Sequence, residues 1–365
     1  YMLRASADEV RAVVDIRPYG DEVHDWWIVC DPTPGLDPST SSGHAGRPMD
    51  PGYVLGISEA SSSLAQLTVR DQVESALDLG TGSGVQALHL AQHAQRVVAT
   101  DVNPRALTMA RLTAALNGLD IDVREGSLFE PVAGETFDWI ATNPPFVISP
   151  PGSARLIYRD SGMPGDSVVR HLVENAERHL NPGGWCQILA NWAHHEGRDW
   201  RADLEEWFAG SALDAWVLQR ELVDPAAYVE MWLADAGLAT APDYARRYDA
   251  WLDWFAGEHI DAVGFGGLSL RRASEAPVHS FEEWTGEIAP PIGRTVLVLE
   301  PLDLAVRDVV EHVLERCVAS RARLTHAPRD HPALDLGEEP LAVGVEPLEA
   351  VFGFPDRPVA RHRKT

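Results

Sequence analysis

Residues 76–84, with the sequence ALDLGTGSG, decide the fold that we expect for this chain. The first four are typical of a short buried strand, and residues 85–92 are typical of a helix. A strand that turns through glycines into a helix leaves backbone N–H groups free beside a ligand. Gly80, Gly82 and Gly84 suit such a turn, because a side chain would block the approach or forbid the backbone angles.

The glycine spacing distinguishes this turn from a common nucleotide-binding motif. The dinucleotide fingerprint Gly-x-Gly-x-x-Gly requires a third glycine where this chain has Val85. The turn therefore disfavours a nicotinamide or flavin cofactor. Taken alone, it is as typical of an ordinary strand-to-helix connection as of a ligand site.

Composition limits the class of protein. The chain has 365 residues, 45% of them hydrophobic, and a net charge of −25, which opposes long-range attraction to phosphate backbones but leaves room for a local basic patch. No apolar run is long enough for a membrane span, and no secretory signal is visible. Three widely spaced cysteines suggest neither a disulfide framework nor a zinc site, so we expect a cytoplasmic protein.

A second predicted strand, residues 96–101, ends in Asp101. In a doubly wound sheet this carboxylate would lie beside the glycine turn, where it can accept hydrogen bonds from both hydroxyls of a ribose. Pro104 suits the first turn of the helix that follows. Further strands are predicted at residues 121–123, 137–142 and 185–190, with an antiparallel edge at residues 260–270 and 295–299.

This alternation of strands and helices predicts an α/β fold with a mostly parallel sheet. Ligands should gather at the carboxyl ends of its strands, where Gly80, Asp101, Ser127 and Asn143 fall. Residues 200–260 are predicted to be helical and are rich in tryptophan, which favours a role in the core over an aromatic substrate surface. The remaining predicted elements are strands at residues 11–16 and 25–30, loops at residues 31–52 and 148–165, and a helix at residues 303–320.

The sequence Asn143-Pro144-Pro145-Phe146 follows the strand at residues 137–142. A planar amino group is a poor nucleophile, because its lone pair is delocalised. The Asn143 side-chain oxygen and the Pro144 carbonyl can each accept one of its N–H groups, which fixes the nitrogen and favours positive charge on it. The two prolines stiffen the turn, and Phe146 can stack on a flat substrate. The alternative, a Pro-Pro turn with an asparagine cap, leaves the glycine turn and Asp101 unexplained.

Together these motifs resemble the class I S-adenosylmethionine-dependent methyltransferases, and among them the amino-methylating branch with Asn-Pro-Pro-Phe. That branch includes release-factor glutamine, ribosomal RNA guanine and DNA adenine methyltransferases. The resemblance covers about residues 63–195, and residues 191–192 and 219–232 are similar to actinobacterial members. It implies a Rossmann-like fold with a mostly parallel seven-stranded sheet, an antiparallel edge, and small N-terminal β-rich and C-terminal extensions.

The resemblance also implies S-adenosylmethionine as the cofactor and no metal. The implied cofactor-binding residues are Asp78, Gly80, Gly82, Gly84, Asp101, Val102, Ser127, Leu128 and Asn143. Among them, Asp78 and Gly80 would lie near the methionine end, Asp101 would bind the ribose and Val102 would pack on adenine. Ser127 departs from the family, which often has an acid at this position. The implied catalytic residues are Asn143, Pro144 and Phe146.

The methyl acceptor stays open. A nucleobase amino group in RNA or DNA is the first hypothesis, because Phe146 offers a stacking face. A protein glutamine amide comes second, a small-molecule amine third, and a catalytically silent cofactor-binding scaffold is the non-enzymatic alternative. A nucleic-acid substrate would require a basic stripe, for which the candidates are Arg155, Arg159, Arg271, Arg272, Arg294 and the C-terminal tail.

Three domains are expected. Residues 1–62 would form a β-rich segment that is consistent with the remnant of a larger N-terminal domain. Residues 63–300 would form the methyltransferase domain. Residues 301–365 would form a helical or irregular extension.

Overall fold

The structure, a computed structural model, describes residues 3–5, 10–20, 23–33, 50–68, 71–151 and 156–284. Several predictions lie outside these ranges. They are most of the loop at residues 31–52, the strand at residues 295–299, the helix at residues 303–320, the extension at residues 301–365, and Arg155 and Arg294 of the expected basic stripe.

Strands and helices alternate through most of the described chain. The strands are β1 (Leu3–Ala5), β2 (Val10–Ala12), β3 (Asp15–Gly20), β4 (Asp25–Cys30), β5 (Val73–Leu79), β6 (Ala94–Asp101), β7 (Ile121–Glu125), β8 (Phe137–Thr142), β9 (Leu180–His195), β10 (Leu213–Val223), β11 (Ile260–Arg272) and β12 (His279–Glu283). The α-helices are α1 (Glu59–Leu67), α2 (Val85–Leu90), α3 (Pro104–Leu116), α4 (Ser167–Ala176), α5 (Trp200–Glu205), α6 (Pro225–Asp235) and α7 (Tyr244–Gly257). Short 3-10 helices cover Glu130–Val132, Glu177–His179 and Glu206–Phe208.

Eight of the described strands form one sheet, in the order β12-β10-β11-β9-β8-β5-β6-β7. The five from β9 to β7 are parallel to one another, so their carboxyl ends meet at one edge. β11 runs antiparallel between β9 and β10. The predicted α/β class with a mostly parallel sheet and an antiparallel edge is confirmed, as is the Rossmann-like arrangement.

Two details of the predicted sheet are wrong. β12, which runs parallel to β10, was not anticipated, and together with β10 it brings the described sheet to eight strands. Seven were expected, and one of those seven, at residues 295–299, lies outside the described residues. Residues 200–260 are not helical throughout, because Leu213–Val223 forms β10. Leu213, Ala215 and Val217 are buried while the residues between them are half-buried, which is the period-two pattern of a strand.

The N-terminal hairpin of β3 and β4 packs against the helices that follow the glycine turn and β6. Residues 11–16, predicted as one strand, are divided between β2 and β3. Ile28 packs with Leu88 of α2, and the Arg105 Nε atom of α3 donates to both Asp31 carboxylate oxygens at 3.0 and 2.9 Å. This region is therefore joined to α2 by a core contact and to α3 by an ion pair. The domain boundary at residue 62 stays a prediction.

A two-helix insertion connects β10 to β11. Antiparallel neighbours can be joined by two residues, yet here residues 224–259 intervene and contain α6 and α7. The insertion has its own apolar core, in which Tyr228, Leu233 and Phe255 are fully or nearly fully buried. The segment at residues 148–165, predicted as a loop, contributes to that same core through Ile148 and Leu156.

No helix in the described ranges is both long and apolar enough to cross a membrane.

Candidate active site

A cavity of about 910 Å³ opens at the carboxyl ends of β5, β6 and β8. One side, which we call the glycine side, is formed by Gly80, Gly82, Asp101, Val102, Ser127 and Leu128. The other, which we call the helix side, is formed by residues 143–146, Tyr158, Arg159 and the α6 residues Ala227, Glu230, Met231, Trp232, Ala234 and Asp235. The structure thus brings together nine predicted site residues, Gly80, Gly82, Asp101, Val102, Ser127, Leu128, Asn143, Pro144 and Phe146.

The glycine turn shapes the cavity wall mainly through its backbone conformation. Gly80 and Gly82 have φ values of +77° and +56°, and a Cβ atom built on either would meet no protein atom within 4 Å. Glycine is therefore required for its backbone angles, and the absent side chains leave the cavity open.

The prediction that the turn leaves its N–H groups free is wrong at four positions. The N–H groups of Gly80 and Thr81 each donate to the Thr100 carbonyl at 2.9 Å, and that of Gly84 donates to the Thr81 carbonyl at 2.8 Å. The Gly82 N–H group donates to the Asp101 Oδ2 atom at 2.9 Å. The turn therefore differs from a phosphate-binding loop, in which such groups point at the ligand.

Asp101 joins the turn to the end of β6. Its Oδ1 atom accepts a hydrogen bond from the Asn103 N–H group at 2.8 Å, and its Oδ2 atom accepts the hydrogen bond from the Gly82 N–H group. Burial raises the pKa of the Asp101 carboxyl, and the backbone hydrogen bonds oppose that rise. An ionised carboxylate can accept about four hydrogen bonds, so acceptor capacity remains for a ligand. Val102 beside it is 42% exposed.

Two predicted cofactor residues, Asp78 and Gly84, are absent from the cavity lining. The buried Asp78 Oδ2 atom lies beneath the turn, where it accepts from the Thr81 hydroxyl at 2.7 Å and the Ala87 N–H group at 2.9 Å. Burial raises the pKa of Asp78 to about 7. Gly84 is the N-cap residue that precedes α2, and its φ is +92°. Both residues therefore support the turn from the side that does not line the cavity.

Ser127 and Leu128 complete the glycine side after β7. Leu128 has a φ of +48°, a left-handed conformation that is unusual for a residue with a side chain. Such a conformation costs about 1–3 kcal/mol, and residues of this kind concentrate at functional sites. Its side chain packs against the main core cluster, which opposes that cost.

Asn143 carries an unsatisfied oxygen at the cavity. Its Oδ1 atom is buried and accepts no hydrogen bond within the described part of the chain. The preceding Thr142 hydroxyl donates to the Leu79 carbonyl at 2.8 Å, which ties the end of β8 to the strand before the glycine turn. A buried acceptor without a partner costs free energy, so this oxygen is poised for an N–H donor.

Sequence reasoning missed most of the helix side. The Tyr158 hydroxyl donates to the Asp235 Oδ2 atom at 2.6 Å, and the Arg159 guanidinium donates to that oxygen at 2.9 Å and to the Trp232 carbonyl at 2.6 Å. The Phe146 and Trp232 rings meet edge to face at 6.4 Å. Tyr53, before α1, contacts the Tyr158 ring at 6.1 Å. One signal in the sequence could have found the residues on α6: those in the cavity lining are spaced three and four positions apart, so they share one face of a helix.

The described cavity lining is acidic. It includes Glu59, Asp101, Glu230 and Asp235, and its only basic residue, Arg159, is buried and paired with Asp160 and Asp235. No group of three or more His, Cys, Asp and Glu residues in the described ranges could hold a metal ion.

The candidate arginines of a basic stripe do not converge among the described residues. Arg159 is already paired, as above. Arg271 lies over the Trp185 ring, and the Arg272 guanidinium donates to the Leu180 carbonyl. Both contacts lie at the amino end of β9, away from the cavity, because β11 runs antiparallel to β9 and ends there.

Comparison with known families agrees with this geometry. Residues 56–211 match the model of the methyltransferase small domain. This segment is a methyltransferase small domain. The match begins at Gly56 in the cavity lining and ends before β10, so the domain includes both the glycine turn and residues 143–146.

Two curated relatives match this methyltransferase small domain. A release factor glutamine methyltransferase of Geobacter sulfurreducens is 36% identical over 126 residues, which are 31% of this chain and 43% of the relative. A ribosomal RNA small subunit methyltransferase C of Salmonella arizonae is 38% identical over 117 residues, which are 32% of this chain and 30% of the relative. The chain thus spans less than half the length of either.

Among solved structures, the T. thermophilus 16S rRNA N2 G1207 methyltransferase, in complex with AdoMet and guanosine, aligns with a TM-score of 0.38 and 21% identity. The alignment covers 58% of this chain and 49% of that one.

Proposed function

We propose that this chain is an S-adenosylmethionine-dependent methyltransferase that methylates a planar amino nitrogen. The observation that carries the proposal is the buried, unpartnered Asn143 Oδ1 atom in the same cavity as Gly80, Gly82 and Asp101. An acceptor oxygen beside a stiff Pro-Pro turn suits an N–H donor, and the glycine side suits a nucleoside.

The residues of the glycine side fit this cofactor. When bound, S-adenosylmethionine supplies an electrophilic methyl group on a positively charged sulfur. The acidic lining suits a positive charge, and the absence of a Cβ atom at Gly80 and Gly82 leaves room for a ligand. The remaining acceptor capacity of Asp101 suits ribose hydroxyls, and the exposed Val102 side chain suits an adenine face.

On the helix side, Asn143 and Pro144 would orient the acceptor. The Asn143 Oδ1 atom and the Pro144 carbonyl would accept the two N–H groups of a planar amino group. These hydrogen bonds fix the nitrogen and stabilise the positive charge that develops on it. Phe146 would stack on the flat group that bears the nitrogen.

For the acceptor we propose a nucleobase amino group first, because Phe146 lies in the cavity and a relative is named as a ribosomal RNA methyltransferase. A protein glutamine amide is the second candidate. It is favoured by the acidic lining, whose only described cation is already paired, and by a relative named as a release factor glutamine methyltransferase. We propose a cytoplasmic location, since Cys30 and Cys186 are both buried free thiols.

A two-part experiment tests this function. Calorimetric titration with S-adenosylmethionine measures cofactor binding. Incubation with radiolabelled cofactor and cell extract, fractionated into RNA, DNA, protein and metabolites, then identifies the acceptor class. Label in RNA or DNA supports the nucleobase, and label in protein supports the amide. If no binding is measured at millimolar S-adenosylmethionine, the proposal that this chain is a methyltransferase is refuted.

The variant Asn143→Ala tests the central residue. We expect transfer to fall by about 100-fold or more, as for loss of one preorganised hydrogen-bonding group in a transition state. The dissociation constant of the cofactor should stay within a few-fold. Asn175→Ala is the matched control, because the Asn175 amide donates to the His171 carbonyl within α4, away from the cavity lining. A variant that loses cofactor binding along with transfer would show that Asn143 belongs to a different site.

A further inference from the structure

The insertion between β10 and β11 touches the Asn143–Phe146 loop at several points. The Tyr228 hydroxyl of α6 accepts a hydrogen bond from the Ile148 N–H group at 2.8 Å. Ile148 stands two residues after Phe146, so this bond holds the backbone at the exit of the loop. The same hydroxyl accepts from the Asn191 Nδ2 atom at 3.2 Å, which links it to β9.

Tyr228 is itself held firmly. Its side chain is fully buried, and its ring packs against Phe255 of α7 at 5.9 Å and Phe265 of β11 at 5.7 Å. A hydroxyl fixed by such packing defines the position of the group that donates to it. An unsatisfied buried N–H group at Ile148 would cost about 1–3 kcal/mol. This cost favours the state in which the Ile148 N–H group stays hydrogen-bonded to the Tyr228 hydroxyl.

A second contact runs through Trp232, one helical turn further along α6. Its ring meets Phe146 edge to face and Tyr228 at 6.0 Å, and the Arg159 guanidinium lies over it at 5.5 Å. The Arg159 carbonyl accepts from the Val147 N–H group at 2.9 Å. The consecutive N–H groups of Val147 and Ile148 are therefore both held, the first by the Arg159 carbonyl and the second by the Tyr228 hydroxyl.

We infer that the α6–α7 insertion positions the acceptor-binding loop, and that Tyr228 is the positioning residue. This inference rests on the proposed function for its catalytic consequence, but its structural part does not. Tyr228 does not line the cavity. It acts through the Ile148 backbone, which fixes where the Asn143 oxygen and the Pro144 carbonyl stand. A small displacement of such groups can cost a large part of the rate.

The test is Tyr228→Phe, which removes the hydroxyl and retains the ring. Hydrogen exchange of the peptide that contains residues 143–149, measured by mass spectrometry, reports the loop without any acceptor. We expect exchange there to accelerate about tenfold, which corresponds to about 1.4 kcal/mol of lost protection. With the extract fraction that accepts label from the wild type, kcat should fall about tenfold while the dissociation constant of S-adenosylmethionine stays within twofold.

The matched control is Tyr248→Phe. Tyr248 lies on α7 in the same insertion, and within the described residues its hydroxyl makes no hydrogen bond to the loop. This control should leave both the exchange and kcat at wild-type values. Trp232→Phe is the second variant, and it should also accelerate exchange at residues 143–149, because it reduces the ring surface against Phe146.

The outcomes separate this inference from the proposed function. Unchanged exchange of residues 143–149 in Tyr228→Phe would overturn the inference, whatever Trp232→Phe shows and whether or not the wild type transfers methyl groups. Faster exchange with an unchanged kcat would overturn it too, since the loop position would not matter to the reaction. A wild type that binds no cofactor would instead refute the proposed function, and the exchange arm would still decide whether Tyr228 holds the loop.

Discussion

The two sides of the cavity are assembled in different ways. The glycine side comes from three successive strand ends, and its residues lie between positions 80 and 128. The helix side combines the end of β8, a segment near residue 159 and a helix inserted between the antiparallel strands β10 and β11. The Arg159–Asp235 hydrogen bond alone spans 76 positions.

This difference teaches where short-range sequence signals are sufficient. On the glycine side each residue follows a short apolar run, and the parallel sheet then brings the strand ends together. On the helix side the contacts depend on how an insertion packs, which no local pattern specifies. The glycine side should therefore behave as a cofactor site independent of α6, and the helix side as a separable acceptor site.

The largest expected effect tests the glycine side. Asp101→Ala removes the carboxylate that holds the Gly82 N–H group and that we expect to bind the ribose. We expect the dissociation constant of S-adenosylmethionine, measured by calorimetry, to rise about 100-fold, which is about 2.7 kcal/mol. Glu125→Ala, at the adjacent end of β7 and outside the cavity lining, is the control. A rise of the dissociation constant by less than threefold in Asp101→Ala would mean that the Asp101 carboxylate accepts no hydrogen bond from the cofactor.

A smaller effect concerns the support beneath the turn. The folded-state pKa of Asp78 is about 7, well above that of a free aspartate, so the folded protein retains a proton that the unfolded chain releases near pH 4. This group therefore makes the free energy of unfolding fall as the pH rises from about 4 to about 7. Asp78→Asn cannot titrate.

Urea unfolding of the wild type and of Asp78→Asn at pH 5 and pH 8 measures this dependence. Between these pH values the variant should gain stability relative to the wild type by on the order of 2 kcal/mol. Asp138→Asn is a useful comparison: burial opposes the shift, but the hydrogen bonds from Asn181 and Ser75 hold the pKa of Asp138 below its usual value. This carboxyl is therefore ionised in both the folded and the unfolded state between pH 5 and pH 8, and the relative change should be close to zero. An equal pH dependence in wild type and Asp78→Asn would show that Asp78 is ionised in the folded protein.

The smallest expected effect tests the helix side. Asp235→Ala removes the partner of the Tyr158 hydroxyl and one partner of Arg159, which keeps Asp160 and the Trp232 carbonyl. Because Asp235 is partly exposed, we expect a loss of only about 1 kcal/mol in stability. The KM for the acceptor should rise several-fold, while cofactor affinity stays within twofold.

Asp253→Ala, an exposed position on α7, serves as the control for this last prediction. A change in cofactor affinity in Asp235→Ala that matched the change in acceptor KM would contradict the independence of the two sides.

The sequence was sufficient for the five parallel strands of the sheet and for the position of Asn143 at their carboxyl ends. It was insufficient where a residue acts through a distant partner. β10 was missed because its alternating pattern includes the large apolar Trp216 and Leu218, which also suit a helix. Tyr53 and Asp235 were missed because their importance lies in contacts made only after folding. The turn was anticipated as a set of free donors, yet Asp101 and Thr100 occupy those donors.

The lone oxygen of Asn143 has a consequence for what happens after transfer. In the proposed reaction, an unmodified amino group satisfies both Asn143 and the Pro144 carbonyl, one hydrogen for each. Once a methyl group replaces one hydrogen, only one of these oxygens still accepts a hydrogen bond. The other is a buried acceptor without a donor, which costs about 1–3 kcal/mol. The site would thus hold its product less tightly than its substrate, which favours turnover and a single methylation per nitrogen.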